Sequence, residues 1–237
     1  MASISSRPCR VADPRRLSHL LVAVALAAAT GHGHAADTSC AGLAKAVRAG
    51  LAQPRVHAAI DLPLDAAALK AGLAPTLVHS IVIGSVQHSN AFSPTFRRVA
   101  LNSPAERDLA TDLAAFEAEA RCTLKGGERL AGRATQVWSF SVDLGRGEAR
   151  IKVWVDSASG LPVRAVSDEP DVDVSTGFTK PGKGSASRFE VTERPNGKRV
   201  IGTHAYLYGD AVKPPGAKGA VDGAALAQLQ ALLKGAP

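Results

Sequence analysis

The chain has 237 residues, with 28 Lys and Arg against 21 Asp and Glu, so its formal net charge is +7. That length is ample for a single domain with its own hydrophobic core. A charge of this size favours solubility, and no Lys/Arg run with interleaved aromatic residues follows position 36, so we predict no nucleic-acid partner.

The first 36 residues have the pattern of a secretory signal peptide. Four arginines precede an apolar run over 20–29, and small residues follow at 33–36; this order is typical of such leaders. The apolar run is about half the length needed to span a bilayer. No cysteine directly follows the small residues, since Cys40 lies a few positions further on. We therefore predict an exported, unanchored periplasmic protein. Its charge falls from +7 to +4, because the leader carries four arginines and one aspartate.

Cysteine use agrees with export. Cys9 belongs to the leader, which leaves Cys40 and Cys122 as the remaining pair. A lone pair in an oxidising compartment is usually a disulfide, and closing a loop of this length contributes roughly 4 kcal/mol on the chain-entropy estimate. A redox role would need the spacing Cys-x-x-Cys, which is absent, so we predict a structural disulfide.

The first elements after the leader are a helix and three strands. Apolar residues at every fourth position predict a helix over 40–52, which Pro54 ends. Loose alternation predicts a strand over 55–62. A run rich in β-branched residues predicts a stronger strand over 76–87, and a short one follows over 95–101.

A second helix is predicted from Ser103 to about Ala120, because Ser103 suits the N-cap, Pro104 the first turn and Glu106 the capping box. Beyond this helix, the sequence pattern predicts short strands separated by turn residues, which indicates an antiparallel meander. The predicted strands are 128–131, 134–143, 147–156, 161–168, 185–193 and 198–208.

The connections between these strands carry distinct signals. Residues 144–147 and 195–198 read as hairpin turns, the second around an Asn-Gly pair. Residues 170–184 are poor in apolar side chains and rich in Gly and Pro, so we expect a mobile loop or an irregular crossing. A Pro-rich linker begins at Lys213, and a short helix is predicted over 222–234, whose docking on the domain the sequence leaves open.

These elements divide the chain into three parts. We predict a signal peptide over 1–36, one domain over 37–212, and a linker with a short helix over 213–237.

The second half of the chain resembles the periplasmic lipoprotein-carrier-like superfamily, proteins similar to the bacterial outer-membrane lipoprotein-sorting carrier. The resemblance lies in Cys122 and in the stretches 127–132, 135–140, 152–164 and 206–215, with Trp-Val-Asp followed by Gly-Leu-Pro in the third stretch. It implies an α+β fold, in which a strongly curved antiparallel sheet forms an unclosed barrel with capping helices. It also implies an apolar cavity that holds acyl chains, where each buried methylene is worth about 0.8 kcal/mol.

The candidate cavity residues follow from strand alternation together with this resemblance. Trp138, Phe140 and Val142 share one sheet face, as cavity wall or as ordinary core. Trp154 is expected to be half-exposed, unless it stabilises a cross-strand pair, and Tyr206 and Tyr208 would rim the cavity mouth or pair at a sheet edge. The predicted ligand-binding residues are Trp138, Phe140, Val142, Trp154, Tyr206 and Tyr208.

The chain departs from the family pattern in its low aromatic content, 4%. An aliphatic cavity, or one filled by its own core, would explain such a composition.

No pattern in the sequence points to catalysis, a metal or a cofactor. The histidines His57, His79, His88 and His204 have no metal-ligand spacing, and no Gly-x-Ser-x-Gly, Ser-x-x-Lys or His-Glu-x-x-His motif occurs. We therefore predict a non-catalytic binding protein for a lipid or an acylated partner, with only transient membrane contact. The alternative is a structural or interaction module of the cell envelope, of the same fold but with a filled core and a partner that the sequence does not name.

Overall fold

The computed structural model describes residues 40–61, 77–90, 95–101, 120–144, 147–179, 188–216 and 219–235. Within 172–195 it describes the backbone only. The predicted signal peptide, and nearly all of the helix predicted from Ser103, lie outside the described residues. No helix in the described part of the chain is long and apolar enough to cross a membrane.

In the described part of the chain, nine strands form one antiparallel sheet in the order β4-β3-β2-β1-β9-β8-β7-β6-β5. The outer strands β4 and β5 are not paired with each other, so the sheet stays an unclosed half-barrel, which confirms the predicted fold class. The strands are β1 (Arg55–Asp61), β2 (Val78–Ile83), β3 (Val86–Ser89), β4 (Arg97–Ala100), β5 (Cys122–Leu130), β6 (Arg133–Asp143), β7 (Glu148–Asp156), β8 (Pro162–Thr179) and β9 (Arg188–Tyr208).

Two described helices pack on opposite faces of this sheet. Helix α1 (Ala41–Leu51) covers one side, which we call the α1 face, and helix α2 (Gly223–Lys234) covers the other, the α2 face. A turn of 3₁₀-helix, Gly209–Ala211, joins the end of β9 to the segment that leads to α2. The helix predicted at the C-terminus therefore exists and docks on the sheet.

The core of the α1 face lies between α1 and strands β5 to β8. Leu43 and Val47 of the helix are buried against Phe140, Ile151 and Val153 of the sheet. The predicted disulfide between Cys40 and Cys122 is present, with the two positions 82 residues apart in sequence. It ties the start of α1 to the start of β5, so this helix is held covalently as well as by packing.

The core of the α2 face forms around the C-terminal helix. Leu229 and Leu232 of α2 are fully buried, together with Ala205 and Leu207 of β9. Asp222 caps the helix, since its Oδ1 accepts a hydrogen bond of 3.0 Å from the backbone N–H of Ala225. The last turn is bound from the sheet, where Nη2 of Arg164 donates to the carbonyl oxygen of Leu233 at 3.2 Å. The helix is thus fixed at both ends.

Two predicted strand boundaries are wrong. The run 76–87 is a hairpin of two strands and not one strand, because Gly84 takes a φ of 57° and turns the chain. The strand predicted over 128–131 begins at Cys122 and contains a β-bulge between Leu124 and Gly126. The bulge explains why simple alternation in this strand is lost.

Residues 170–179 and 195–198 also differ from their predictions, whereas 180–184 lie outside the described residues. The backbone of 170–179 continues β8, and it pairs with β9 as far as Thr179 and Arg188. The Asn-Gly pair lies within β9 at a bulge opposite Asp171, not at a hairpin turn. There the side chain of Asn196 donates to Oδ2 of Asp171 at 2.8 Å and accepts from the backbone N–H of Lys198 at 2.9 Å. An Asn-Gly pair supplies the same positive φ to a bulge as to a turn.

Candidate functional site

Trp138, Phe140 and Val142 lie on the α1 face, as their alternation predicts. Phe140 and Val142 are buried in the core beneath α1, and Trp138 is half-buried at its border. A Cβ atom on Gly42 of α1 would lie only 3.0 Å from the Trp138 ring, so the helix rests directly on the indole because this position carries no side chain. In this part of the face, the protein itself fills the space above the sheet.

Trp154 lies on the opposite face, among the residues beneath α2. The ring is only 5% exposed, so the expected half-exposure is wrong. Its indole N–H donates to Oε2 of Glu128 at 2.8 Å, and the guanidinium of Arg164 lies 4.6 Å from the ring centroid. The hydrogen bond from Trp154, followed by the charge of Lys152, holds the pKa of Glu128 below its usual value. The polar contacts of the Trp154 ring are therefore made by Glu128 and Arg164, and its apolar contacts by the core beneath α2.

Tyr206 and Tyr208 return to the α1 face, on β9 at the centre of the sheet. Backbone pairing shows this directly, because residues opposite each other on paired strands share a face. Paired residues form a row across six strands, and this row contains both Trp138 and His204. Tyr206 lies two positions after His204 on the same strand and therefore on the same face. In order, the row contains Leu124, Trp138, Val153, Ala165, His204 and Ile60.

The two tyrosines differ in their hydrogen bonds. The hydroxyl of Tyr208 donates to the carbonyl oxygen of Pro162 at 2.7 Å, close to Gly50 at the end of α1. Tyr206 is buried and stacks on the imidazole of His204, with ring centroids 6.5 Å apart and an interplanar angle of 12°. Burial raises the pKa of both phenols, and burial lowers the pKa of His204 to about 4. The His204 ring is thus neutral near pH 7.

The α1 face continues past β9 with small and uncharged residues. Ile60 and Ser80 are buried there on β1 and β2, and the side-chain amide of Gln87 donates to the hydroxyl of Ser80 at 2.9 Å. Neither Tyr206 nor Ile60 belongs to the two hydrophobic clusters beneath α1 and α2. We call the set Ile60, Ser80, Gln87, His204 and Tyr206 the β9 strip. It extends the α1 face beyond the sheet area on which α1 packs.

A pair of buried histidines lies on the α2 face, and their contact is not predicted by the sequence. Nε2 of His57 lies 3.0 Å from Nδ1 of His79, and both rings are buried. Burial, and to a lesser extent the charge of His79, lowers the pKa of His57 to about 4. The only sequence signal was that each histidine lies within a predicted strand, and the pairing of β1 with β2 brings them together.

Two further features bear on chemistry. A cleft of about 490 Å³ lies beside β5 and β6 and is lined by Leu124, Glu128, Thr135 and Ser157, among others. Across the described ranges, no three His, Cys, Asp or Glu side chains come together in a way that could hold a metal ion. The described polar groups thus offer hydrogen bonds and packing rather than a metal-ligand set.

Comparisons with known proteins yield distant structural likenesses. No family model matches the chain, and no curated protein matches it either. Among solved structures, the lipoprotein LppX of Mycobacterium tuberculosis is similar at 12% identity with a TM-score of 0.40, covering 73% of this chain and 96% of that one. LprF of Mycobacterium bovis is similar at 13% identity with a TM-score of 0.38, covering 75% of this chain and 96% of that one.

Proposed function

We propose that this protein is an exported, non-catalytic binding protein that holds an apolar ligand, a lipid or the acyl chain of an acylated partner, on the α1 face of its half-barrel. The observation that carries the proposal is the β9 strip. It continues the α1 face beyond the area on which α1 packs, with an aromatic ring and an aliphatic side chain that belong to neither hydrophobic cluster. Such a buried apolar site suits an acyl chain, since burial of apolar area is non-directional and needs no matching polar partner.

The resemblance to lipoprotein carriers supports the same proposal from the sequence side. The residues that carry it include the β7–β8 hairpin, which turns at 157–160 between Asp156 and Leu161. Of the six predicted binding residues, Trp138, Phe140, Val142, Tyr206 and Tyr208 lie on the α1 face. Trp154 lies on the other face, and in this proposal it serves the core.

Native mass spectrometry of the full chain tests the proposal. The protein is expressed with its own leader and purified without detergent from the periplasmic fraction, where the proposal predicts that it accumulates. The expected result is extra mass that organic solvent removes as phospholipid or fatty acid, together with saturable quenching of tryptophan fluorescence by a fatty-acid analogue. A bare mass without such quenching would contradict ligand binding.

A pair of matched variants locates the ligand. Ala58→Trp places a large ring on the α1 face directly opposite Tyr206, and it should abolish most of the bound mass. Ile201→Trp adds the same ring on β9 at a position that is 58% exposed and lies on the same face as Ala205, the α2 face. This control should keep the ligand. Equal loss in both variants would contradict binding at the β9 strip.

The second candidate is an envelope interaction module with a filled core. Two contacts favour it, the direct packing of α1 on Trp138 and the hydrogen bond from Tyr208 to Pro162. Both show side chains of the predicted cavity wall satisfied by the protein itself. A bare mass, together with a stable complex with an envelope protein in crosslinking experiments, would favour this candidate.

A further inference from the structure

The long hairpin of β8 and β9 continues beyond both of its neighbours in the described sheet. Pairing of β7 with β8 ends at Asp168, and pairing of β1 with β9 ends at Thr203. Past the bulge opposite Asp171, the backbone of 172–179 in β8 pairs with that of 188–195 in β9. We call this paired segment the outer ribbon. Its eight residue pairs extend about 26 Å, and no third strand among the described residues pairs with them.

The register divides the outer ribbon into two faces of different composition. Directly paired residues share a face, and successive residues of a strand alternate between the faces. One face contains Thr176, Glu193 and the apolar residues Val172, Val174, Phe178, Phe189, Val191 and Pro195. Phe178 and Phe189 are paired directly, next to the last pair of the ribbon. Apart from Gly177, the other face contains only polar and charged residues, which are Asp173, Ser175, Thr179, Arg188, Glu190, Thr192 and Arg194.

The sequence around the far end of the outer ribbon is basic. Residues 174–189 contain Lys180, Lys183 and Arg188 and no acidic residue. Each Lys or Arg close to an anionic lipid surface increases the affinity for that surface about 5-fold. An apolar face accompanied by basic residues binds peripheral segments to anionic membranes, because burial of apolar area and attraction to the lipid head groups act together.

We propose that the outer ribbon is a membrane-docking element, whose apolar face contacts the surface of a bilayer that contains anionic lipid. The two long edges of such a ribbon carry backbone groups that need water or head groups as partners. The ribbon therefore lies at the level of the head groups, with its apolar face towards the acyl chains. The inference goes beyond the proposed function and does not depend on it, since the β9 strip lies within the sheet and not on the outer ribbon.

Flotation of the full chain with lipid vesicles tests the inference. Vesicles of phosphatidylcholine are compared with vesicles made from equal amounts of phosphatidylcholine and phosphatidylglycerol. The expected result is about 100-fold tighter binding to the mixed vesicles, from three basic residues at about 5-fold each, and loss of this preference in high salt. Absence of binding, or equal binding to the two kinds of vesicle, would overturn the inference. Lipid retained in native mass spectra would still support the proposed function in that case.

An exchange of two neighbouring residues provides the matched variant. Phe178→Thr combined with Thr179→Phe keeps composition and charge, and moves one ring from the apolar to the polar face. Binding to the mixed vesicles should weaken about 10-fold, because the ring loses its burial among the acyl chains. An unchanged melting temperature shows that the exchanged protein folds. Wild-type affinity in this folded variant would overturn the inference.

Two tryptophan variants report the contact with lipid without removing it. Phe178→Trp and Thr179→Trp are each measured with mixed vesicles that contain brominated lipid. Quenching beyond that of the wild type is expected for Phe178→Trp and not for Thr179→Trp, and Trp138 and Trp154 are common to all three proteins. Equal quenching in the two variants would overturn the inference. Self-association that the exchange of residues 178 and 179 abolishes, without vesicle binding, would also overturn it and assign the apolar face to a second copy of the chain.

Discussion

The two faces of this sheet are closed in different ways. On the α1 face, a helix without a side-chain N-cap is bound covalently through Cys40, and its packing reaches β9 at Tyr208. On the α2 face, a helix capped by Asp222 is held by buried leucines that reach as far as β1 and β2. The comparison teaches that the α2 face is completed by apolar packing, which continues across the sheet from β5 to β2. The α1 face changes at β9 from an aliphatic core to the β9 strip, in which His204 and Tyr206 are buried.

The largest effect expected of a substitution concerns the covalent link on the α1 face. Replacing both cysteines, Cys40→Ala with Cys122→Ala, should lower the free energy of unfolding by about 4 kcal/mol, because the unfolded chain regains the entropy of a long loop. Urea unfolding with and without a reducing agent measures it, and reduced wild type serves as the control for the substitutions. A loss below about 1 kcal/mol in both would mean that packing alone holds α1.

Acid should destabilise both faces, since each contains a buried neutral histidine. The pKa of His57 and of His204 falls from 6.5 to about 4 on folding. Above pH 6.5 both histidines are neutral in the folded and in the unfolded chain, so neither lowers the free energy of unfolding. As the pH falls from 6.5 to 4, the unfolded chain binds protons first, and stability is lost by roughly 3 kcal/mol for each histidine.

Urea unfolding at pH 7 and at pH 4 measures this loss, and variants divide it between the faces. His57→Phe on the α2 face and His204→Phe on the α1 face should each reduce the loss by roughly 3 kcal/mol. If His204→Phe has the same pH profile as the wild type, the imidazole is not buried in a neutral state. That result would contradict the burial described for the β9 strip.

The packing of the α2 face is tested by truncating a buried leucine. Leu229→Ala should cost about 3 kcal/mol, because the residue is fully buried and the cavity it leaves can collapse only in part. The neighbouring exposed position supplies the control, and Gln228→Ala should change the free energy of unfolding by less than about 0.5 kcal/mol. Equal effects of the two variants would mean that α2 does not pack on the sheet in solution.

The smallest expected effect concerns the cap of α2. Asp222→Ala should cost about 1 kcal/mol, since the backbone N–H of Ala225 loses its acceptor. Asp222→Asn keeps an acceptor at the same position and should retain most of the stability. Thermal unfolding compares the three proteins. A loss of the same size in the Asn variant would assign the effect to the ion pair with Lys213 rather than to the cap.

Local patterns in the sequence predict much of this fold. The two helices, the hairpin that turns after Asp156, and the shared face of Trp138, Phe140 and Val142 all follow from spacing over a few residues. Predictions failed where distant residues decide. The Asn-Gly pair at 196 and 197 suits a turn and a bulge equally well, and only the pairing of β8 with β9 selects the bulge.

The candidate site shows the same division. Alternation places Tyr206 and Tyr208 on one face from the sequence alone. It cannot show that Tyr208 finds the carbonyl oxygen of Pro162, 46 positions away, while Tyr206 stacks on a neighbour. The burial of Trp154 depends likewise on Glu128 and Arg164, which approach through sheet pairing.

By itself the sequence determined the periodic elements and the one pair of cysteines available for a disulfide, because these depend on local spacing and on residue counts. The tertiary structure decided which face each helix covers, that His57 meets His79, and that the Tyr208 hydroxyl donates to the carbonyl oxygen of Pro162. The physical reason is that hydrogen bonds and burial are satisfied between strands, and strand pairing brings together residues that the sequence keeps far apart.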